Sequence, residues 1–185
     1  MDGEGRIGYT EEMADQTRDI PAKDYIDAVG FPQTVTLRPI GVVRSGFRER
    51  HGTPRQSTVS PLDGQPRRAI IELFVDQVPV QALDSLEGFE YIWVIAWLHL
   101  NRNWNPMVRP PREAKRKRGV LATRAPHRPN QLGLSATRLI SVRKNLIEVE
   151  GIDLLDDTPV LDIKPYLPYA DAFPDASAGW VDTLD

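Results

Sequence analysis

The chain has 185 residues, enough for one sizeable domain with a core of its own. Its 41% hydrophobic and 26% charged residues are ordinary for a soluble globular protein, and sixteen prolines argue against a mainly helical fold. The sequence contains no cysteine, which excludes disulfides, thiolate metal sites and cysteine nucleophiles. Its three histidines, His51, His99 and His127, lie far apart, so we expect no metal site.

Neither a membrane span nor a signal peptide is expected from the sequence. The longest apolar run, residues 91–100, is far shorter than the roughly 20 residues that a membrane helix needs. The N-terminal residues are acidic and polar and contain no apolar signal segment. These features predict a soluble, cytoplasmic protein without a membrane partner.

The net charge of −3 is distributed unevenly along the chain. Residues 1–30 carry a net charge of −5, residues 102–128 carry +8, and residues 148–185 carry −9. A basic segment in an acidic chain indicates an anionic partner, nucleic acid first, or an internal pairing with the acidic segments. Charge alone leaves these two possibilities equally open.

Residues 1–33 are predicted to be a separate acidic extension, because they are polar and lack a sustained apolar period. They contain a formal GxGxxG pattern at Gly3, Gly5 and Gly8. A dinucleotide-binding site needs a strand directly before these glycines, and no strand fits there. We therefore interpret the pattern as chance.

From residue 34 onward the sequence changes to short β-branched and apolar segments, which are typical of strands. Helical spacing in residues 78–86 predicts a short helix, and the prolines of residues 101–118 predict a loop. We expect a mainly β domain over residues 34–185, a small closed barrel with one or two short helices. The predicted strands are residues 34–44, 68–74, 89–100, 119–124, 134–142, 146–152 and 160–164.

The central predicted strand, residues 89–100, is apolar on both faces. Its aromatic and aliphatic side chains exceed what the interior of one small barrel needs, so both faces should be covered. A twofold homodimer is the commonest oligomer and is the expected way to cover the second face.

Polar residues that could carry chemistry occur in four clusters. These are Pro54-Arg55-Gln56, His99 with Asn101, residues 123–130 with Gly133, and residues 156–166. In the last cluster, the strand period places Asp162 and Lys164 on one face, with Leu161 and Ile163 on the other. An acid and an amine so placed can pair at the surface, position a substrate or move a proton. Taken singly, each cluster also fits a structural role, such as that of a core histidine for His99.

Taken in order, however, the motifs resemble the family of tRNA N6-threonylcarbamoyladenosine methyltransferases, also called the YaeB-like or TsaA-like family. The resemblance runs from about residue 37 to residue 180, and several uncommon motifs in one order are more specific than any single motif. The motifs are Pro39-Ile-Gly-Val-Val-Arg-Ser45, Pro54-Arg-Gln56, Leu86-Glu-Gly-Phe89 leading into Trp93, Val108-Arg-Pro-Pro-Arg112, Gly119-Val-Leu-Ala-Thr-Arg124, Arg128-Pro-Asn130 with Gly133-Leu-Ser135, and Asp157-Thr-Pro-Val-Leu-Asp-Ile-Lys-Pro-Tyr166 with Pro174-Asp-Ala176.

This resemblance implies a single-sheeted, non-Rossmann β-barrel that binds S-adenosylmethionine and works as a homodimer, with the cofactor site near the subunit interface. It implies methylation of N6 of threonylcarbamoyladenosine, next to the anticodon of certain tRNAs. By motif, the cofactor contacts carry over to Pro54, Arg55, Gln56, Leu98, His99, Arg124, Leu134, Asp153, Leu154, Leu155 and Asp156.

Within the same resemblance, two further sets of residues are candidates for the reaction. The candidates for orienting the acceptor or accepting its proton are Asp162, Lys164 and Tyr166. The candidates for contacting tRNA phosphate are Arg112, Lys115, Arg116, Lys117, Arg118 and Arg128.

The sequence departs from the family pattern at two turns. Members often have Arg-Pro-Asn-Pro-Ile-Gly, where this chain has Gln131 and Leu132 before Gly133. Members often have Asp-Gly-Thr-Pro, where this chain has Asp157 in place of the glycine. Many bacterial members also carry a further C-terminal domain; if that domain helps to hold tRNA, the RNA assignment weakens and the cofactor assignment stands.

Two other function classes remain open at this point. The chain could be a non-catalytic RNA-binding β-barrel, which would bind RNA irrespective of cofactor. It could also be a methyltransferase or cofactor sensor for a small molecule, with the basic segment paired to the acidic ones.

Overall fold

The structure is a computed structural model that describes residues 32–49, 67–113 and 115–184. The chain divides into two units, residues 1–36 and 37–185, and the account below concerns the second unit. The glycines of the GxGxxG pattern lie outside the described residues, as do Pro54, Arg55 and Gln56. The boundary predicted after residue 33 therefore stays a prediction.

Six antiparallel strands form a closed barrel, which confirms the predicted mainly β, non-Rossmann fold. Around the barrel each strand pairs with the next, in the order β1-β2-β7-β6-β3-β8, and β8 pairs back to β1. The strands are β1 (Gly41–Arg44), β2 (Arg68–Leu73), β3 (Tyr91–Trp97), β6 (Leu132–Arg143), β7 (Leu146–Glu150) and β8 (Pro159–Pro165). A separate two-stranded sheet pairs β4 (Met107–Val108) with β5 (Arg118–Gly119).

The barrel interior is filled by the alternate side chains that the strand period predicts. In β3, Ile92, Val94 and Ala96 are fully buried, and Ile147 and Val149 are fully buried in β7. Because successive side chains of a strand point to opposite faces, these residues line one continuous core.

The outside of the barrel over β2, β7 and β6 carries a row of ion pairs. Arg68 contacts Glu148 at 3.0 Å and Glu150 at 3.8 Å, and Arg138 lies 3.9 Å from Glu150 and 3.7 Å from Glu90. Exposed ion pairs of this kind stabilise a fold little, but they show that this surface of the barrel is charged and faces water.

A different outer surface lies where β3 meets the beginning of β6. Here Ile95 and Trp97 of β3 lie opposite Leu134 and Leu132 of β6, and we call these four residues the outer apolar face. The side chains of Trp97, Leu132 and Leu134 are 45%, 44% and 58% exposed. The inner face of the central strand is thus covered, whereas its outer face is exposed in the single chain.

Three predicted elements differ from the structure. The predicted strand over residues 119–124 is wrong, because the chain turns after Gly119 into a 3-10 helix, Val120–Ala122. The predicted helix over residues 78–86 is instead two 3-10 helices, Val80–Leu83 and Leu86–Gly88, separated where Ser85 adopts a left-handed φ of 64°. The first strand begins at Gly41 rather than at residue 34.

The predicted strand pair over residues 134–142 and 146–152 is confirmed as the β6–β7 hairpin. Lys144 in its turn has a left-handed φ of 55°. After β8, one α-helical turn (Pro168–Asp171) and a 3-10 helix (Gly179–Thr183) complete the described chain. No helix within the described ranges is long and apolar enough to cross a bilayer.

Gly41 provides a direct test of barrel closure. A Cβ atom at this position would lie 2.6 Å from the backbone oxygen of Glu72 and 2.9 Å from Leu73 Cδ2, so an alanine cannot fit unless β2 moves. We expect Gly41→Ala to lower the free energy of unfolding by about 2 kcal/mol, the usual cost of overpacking, as measured by urea denaturation. Gly88→Ala is the matched control, because a Cβ at Gly88 meets no atom within 4 Å. Equal stability of the two variants would contradict this account of closure.

Candidate functional site

The described cofactor candidates other than Arg124 gather around one end of the barrel. At this end β1 and β3 finish, and β6 and β8 begin, as shown by the pairs Trp97–Leu132, Ala96–Val160 and Val42–Pro159. Leu98 and His99 directly follow β3, Leu134 lies near the start of β6, and residues 153–156 lead into β8. The topology therefore brings together residues that lie more than 50 positions apart in the sequence.

Residues 152–156 cover this end of the barrel and are anchored to the end of β1. The side chain of Leu154 is buried, and that of Leu155 packs against the core. Ser45 Oγ donates to the carbonyl of Leu154 at 3.1 Å, and the Ser45 N–H donates to the carboxylate of Asp156 at 3.0 Å. The two leucine side chains thus have structural roles, which leaves only their backbone groups to meet a ligand.

Asp153 is held against β6 by a short hydrogen bond from Ser135 Oγ. Ser135 is only 3% exposed and lies next to Leu134 in the strand. A buried hydroxyl needs such a partner, because an unsatisfied one is costly. The bond therefore fixes the carboxylate of Asp153 beside the start of β6.

Leu98 shapes the site but has little free backbone to offer a ligand. Its N–H donates to the carbonyl of Gln131 at 2.8 Å, and its own carbonyl accepts from Asn101 N–H at 3.0 Å and Asn101 Nδ2 at 3.1 Å. Its side chain packs against the core and lies over Gly133, where a Cβ would come within 3.1 Å of Leu98 Cδ2. Gly133 is thus required for this close contact rather than for a special backbone angle.

His99 is the residue of this site that most directly indicates a ligand. Its Nδ1 is buried and has no hydrogen-bond partner in the part of the chain that the structure describes. Its ring lies 5.9 Å from that of Trp97, centroid to centroid. A buried polar nitrogen without a partner is costly, and a bound polar molecule or a second subunit would satisfy it.

Arg124 and Leu134 are both exposed, and Leu134 lies near the start of β6 at this end. Among the described residues, the guanidinium of Arg124 makes no hydrogen bond or ion pair, so it can meet an anionic group such as a carboxylate. The described residues contain no group of three or more His, Cys, Asp or Glu that could hold a metal ion.

Two of the three candidates for the reaction, Asp162 and Lys164, lie on the outer face of β8, and the third, Tyr166, directly follows this strand. Asp162 Oδ2 is 2.8 Å from Lys164 Nζ, which confirms that the two side chains share a face. Asp162 Oδ1 also accepts the N–H of Ile163 at 2.9 Å. Both side chains are largely exposed, so the pair is accessible to a substrate.

A β-bulge at Leu161 places Asp162 on this face. Ile95 pairs with Asp162, whereas the next residue of β3, Ala96, pairs with Val160, so Leu161 is an extra residue. The prediction that Leu161 and Ile163 share a face is wrong for this reason: Val160 and Ile163 are the residues packed on the core. The bulge lets Asp162 point outward in the row Asp162–Ile95–Leu134.

That row connects the reaction candidates with the cofactor candidates. Ile95 pairs with Asp162 on one side and with Leu134 on the other. Since neighbouring strands are about 4.8 Å apart, the backbones of Asp162 and Leu134 lie about 10 Å apart across the outer face. A ligand bound at Leu134 would lie within reach of the Asp162 carboxylate.

Tyr166 belongs to an aromatic group on the same face. Its ring centroid lies 5.4 Å from that of Trp93 and 6.2 Å from that of Tyr91, and its N–H donates to the carbonyl of Tyr91 at 3.0 Å. The indole of Trp93 in turn donates to Asp171 at 3.0 Å. Asp171 was not a sequence candidate, and only its place five residues after Tyr166 could have drawn attention to it.

The carboxylate of Asp171 remains charged well into acidic solution. The N–H of Leu167 and the indole N–H of Trp93 both donate to it, in this order of effect, and hold its pKa below the ordinary value of 3.8. Since the folded-state pKa is lowered, any stability from these bonds is present above the unfolded-state value and lost as the pH falls through the folded-state value. Near neutral pH both bonds are therefore charge-assisted.

The six phosphate candidates separate into two groups. Arg118 forms an ion pair with Glu113 at 2.8 Å, lies over the ring of Trp180 at 5.1 Å and is only 17% exposed. Arg128 donates to the carbonyl of Thr123 at 2.7 Å. These two guanidiniums stabilise the loops that hold them. The exposed candidates, which form no ion pair with described residues, are Arg112, Lys115, Arg116 and Lys117.

The turn that departs from the family pattern explains why glycine is common there. Asp157 has a left-handed φ of 60°, a conformation that side chains disfavour and glycine adopts freely. Its carboxylate pairs with Arg44, which also donates to Glu72 at 3.0 Å. Glu72 first, and then Asp157, raise the pKa of Arg44 above its ordinary value.

The fold defines the class of protein: a small closed β-barrel, with candidate ligand-binding residues at one end and an outer face that carries aromatic side chains and an acid–amine pair. Residues 42–172, well over half of the chain, match the family described as the tRNA-methyltransferase O N-terminal domain. The chain belongs to this family, which confirms the resemblance of its motifs.

Relatives of known name extend the comparison. A tRNA (adenine(37)-N6)-methyltransferase of Escherichia coli strain K12 is 39% identical over 149 residues, covering 76% of this chain and 61% of the relative. A "Probable S-adenosyl-L-methionine-binding protein" of Methanothermobacter thermautotrophicus is 42% identical over 133 residues, covering 71% of this chain and 90% of the relative. The chain thus spans about three fifths of the length of the bacterial relative.

A solved structure has the same fold. The crystal structure of TrmO from Pseudomonas aeruginosa superposes with a TM-score of 0.67 at 40% sequence identity. The superposition covers 82% of this chain and 65% of that chain. The shared part is the barrel domain described above.

Proposed function

We propose that the protein is an S-adenosylmethionine-dependent methyltransferase that methylates N6 of an adenosine in tRNA. The specific acceptor that the motif resemblance implies is threonylcarbamoyladenosine next to the anticodon. The observation that carries the proposal is that the family match, with relatives named for this reaction, covers the barrel on which Asp162 and Lys164 form an accessible acid–amine pair. Residues 34–185 would form the methyltransferase domain, and a tRNA substrate implies a cytoplasmic enzyme.

The described residues fit the cofactor at the barrel end. The buried, unpartnered Nδ1 of His99 offers a hydrogen-bonding atom, and the exposed guanidinium of Arg124 suits a carboxylate. Asp153 and Asp156, which accept hydrogen bonds from Ser135 Oγ and from the Ser45 N–H, bring negative charge to the same end, which favours a sulfonium cation. Pro54, Arg55 and Gln56, which lie outside the described residues, remain proposed contacts by motif.

When bound, S-adenosylmethionine supplies an electrophilic methyl group. Its transfer to N6 of the acceptor would release one proton from N6, and the electron pair of the broken carbon–sulfur bond would stay with sulfur. Asp162 accepts a hydrogen bond from the N6–H group and takes this proton, and Lys164, whose Nζ lies 2.8 Å from Asp162 Oδ2, keeps the carboxylate oriented. Tyr166 orients the acceptor, because its ring lies on the same face beside Trp93.

Replacing Asp162 by asparagine tests this role. We expect Asp162→Asn to lower the single-turnover rate of methyl transfer about 10²–10⁴-fold, the usual contribution of a positioned base. Its affinity for S-adenosylmethionine and its melting temperature should change little, since the pair with Lys164 is exposed. Glu148→Gln is the control, because Glu148 forms a comparable ion pair with Arg68 on the outer surface of β2 and β7. Normal turnover in Asp162→Asn would show that Asp162 only forms a surface ion pair with Lys164 and takes no part in the reaction.

The exposed bases of the 102–128 segment are proposed to contact tRNA phosphates. We expect the triple variant Lys115→Ser, Arg116→Ser, Lys117→Ser to lower the slope of log affinity against log salt concentration by about 2 to 3, while cofactor affinity is unchanged. Arg118 is kept, because its removal would leave Glu113 unpaired.

The control variant carries Arg143→Ser and Lys144→Asn in the β6–β7 turn, where asparagine tolerates the left-handed φ of Lys144. Both residues are exposed, and the turn lies at the end of β6 farthest from the site. An unchanged salt slope in the triple variant would place the RNA surface elsewhere.

The outer apolar face is proposed to be covered by a second copy of the chain. Sedimentation velocity at micromolar concentration should show a dimer, and Leu132→Glu should weaken dimerisation at least about tenfold, because it places a charge in an apolar contact. Leu146→Glu is the control, since Leu146 is similarly exposed but lies in the β6–β7 hairpin, beside the surface that carries the ion pairs. A monomeric wild-type protein would contradict this proposal.

Calorimetry with S-adenosylmethionine is the most informative first experiment for the reaction class. Binding would exclude an RNA-binding barrel that ignores cofactor. A methylation assay with tRNA then separates a tRNA enzyme from a methyltransferase or sensor for a small molecule.

A further inference from the structure

We propose that Asp171 is a positioning residue, which holds the ring of Trp93 so that Trp93 in turn holds Tyr166. This inference rests on the proposed function, in which Tyr166 orients the acceptor. Asp171 does not reach the reacting atoms in this scheme; it acts through the indole.

The first step of the argument is that one carboxylate oxygen joins two parts of the chain. Asp171 Oδ2 accepts the N–H of Leu167 at 2.8 Å and the Nε1–H of Trp93 at 3.0 Å. The backbone N–H of Asp171 donates back to the carbonyl of Leu167 at 2.8 Å. The turn Pro168–Asp171 is therefore closed at both ends by Asp171 and tied to β3 by the indole.

The second step concerns the place of Trp93 in the sheet. It pairs with Lys164 of β8 on one side and with Ala136 of β6 on the other. Its ring therefore lies on the outer face between Lys164, one of the reaction candidates, and Ala136, whose small side chain leaves the indole space. The hydrogen bond on Nε1 gives the indole N–H a partner and holds the ring in this orientation.

The third step concerns Tyr166. Its ring contacts Trp93 at 5.4 Å and Tyr91 at 6.2 Å, and its hydroxyl has no hydrogen-bond partner in the described residues. The position of the phenol thus depends on the two rings beneath it. Of these, Trp93 is closer and is the one fixed by a charged acceptor.

Two variants test the link in a methyl-transfer assay. We expect Asp171→Ala and Trp93→Phe each to lower kcat about tenfold, with the KM for S-adenosylmethionine unchanged, because cofactor contacts lie at the barrel end. The double variant should lose no more than either single variant, since both changes remove the same hydrogen bond. Asp171→Asn should retain most of the activity, because its amide oxygen still accepts both bonds.

A second measurement does not depend on activity. The indole N–H resonance of Trp93, assigned by its loss in Trp93→Phe, should shift in Asp171→Ala and stay close to its wild-type position in Asp171→Asn. The matched control is Asp182→Ala: Asp182 Oδ2 accepts Ala178 N–H at 2.7 Å and Ser177 Oγ at 3.0 Å, closing another short turn without an indole donor. This control should leave both kcat and the Trp93 resonance unchanged.

The outcomes separate the two proposals. Full kcat in Asp171→Ala, additive losses in the double variant, or an equal loss in Asp182→Ala would each overturn the positioning role. If the wild-type protein transfers no methyl group, the proposed function fails by itself. In that case an unmoved Trp93 resonance in Asp171→Ala would overturn the link as well, and a shifted one would support it.

Discussion

Closure of the barrel by β1 is the constraint on which the site depends. β1 has only four residues, and its pairing with β8 is extended by hydrogen bonds from Ile40 N–H to Val160 O at 2.8 Å and from Val43 N–H to Thr158 O at 2.9 Å. Gly41 allows β2 to approach closely on the other side. Because closure fixes the ends of the strands, it brings the residues after β1, β3 and β7 to one end of the barrel, where the proposed cofactor contacts lie.

The outer surface of the barrel is divided between two environments, and this division separates stability from function. Ion pairs cover β2, β7 and the later part of β6, whereas β3, β8 and the beginning of β6 present aromatic and aliphatic side chains around one acid–amine pair. The twelve residues of β6 run from one environment into the other. The side with the ion pairs therefore suits contact with water, whereas the side with the aromatic and aliphatic side chains is available to a substrate, a partner subunit or both.

The sequence was sufficient to predict the shared face of Asp162 and Lys164 from the strand period, the β6–β7 hairpin from two neighbouring strand segments, and the closed barrel from many short strands with few helices. It could not reveal the bulge at Leu161, since an extra residue is defined by the partner strand and leaves no local pattern. Nor could it distinguish Arg118, which Glu113 pairs, from its exposed neighbours in the same basic run. The Trp93–Asp171 bond joins residues 78 positions apart and has no sequence signal at all.

Asp157 shows how a departure from a family pattern can be accommodated. A left-handed residue other than glycine costs roughly 1–2 kcal/mol, and aspartate is among the side chains that tolerate it best. Arg44, held between Asp157 and Glu72, offsets only part of this cost, because an exposed ion pair stabilises a fold little. The N–H of Asp157 also donates to the carbonyl of Val43 at 2.9 Å, so the same residue helps to close the barrel. The turn before β8 is therefore anchored to β1 by both backbone and side chain, which restricts the segment from Asp153 to Asp156 that the proposed cofactor site requires.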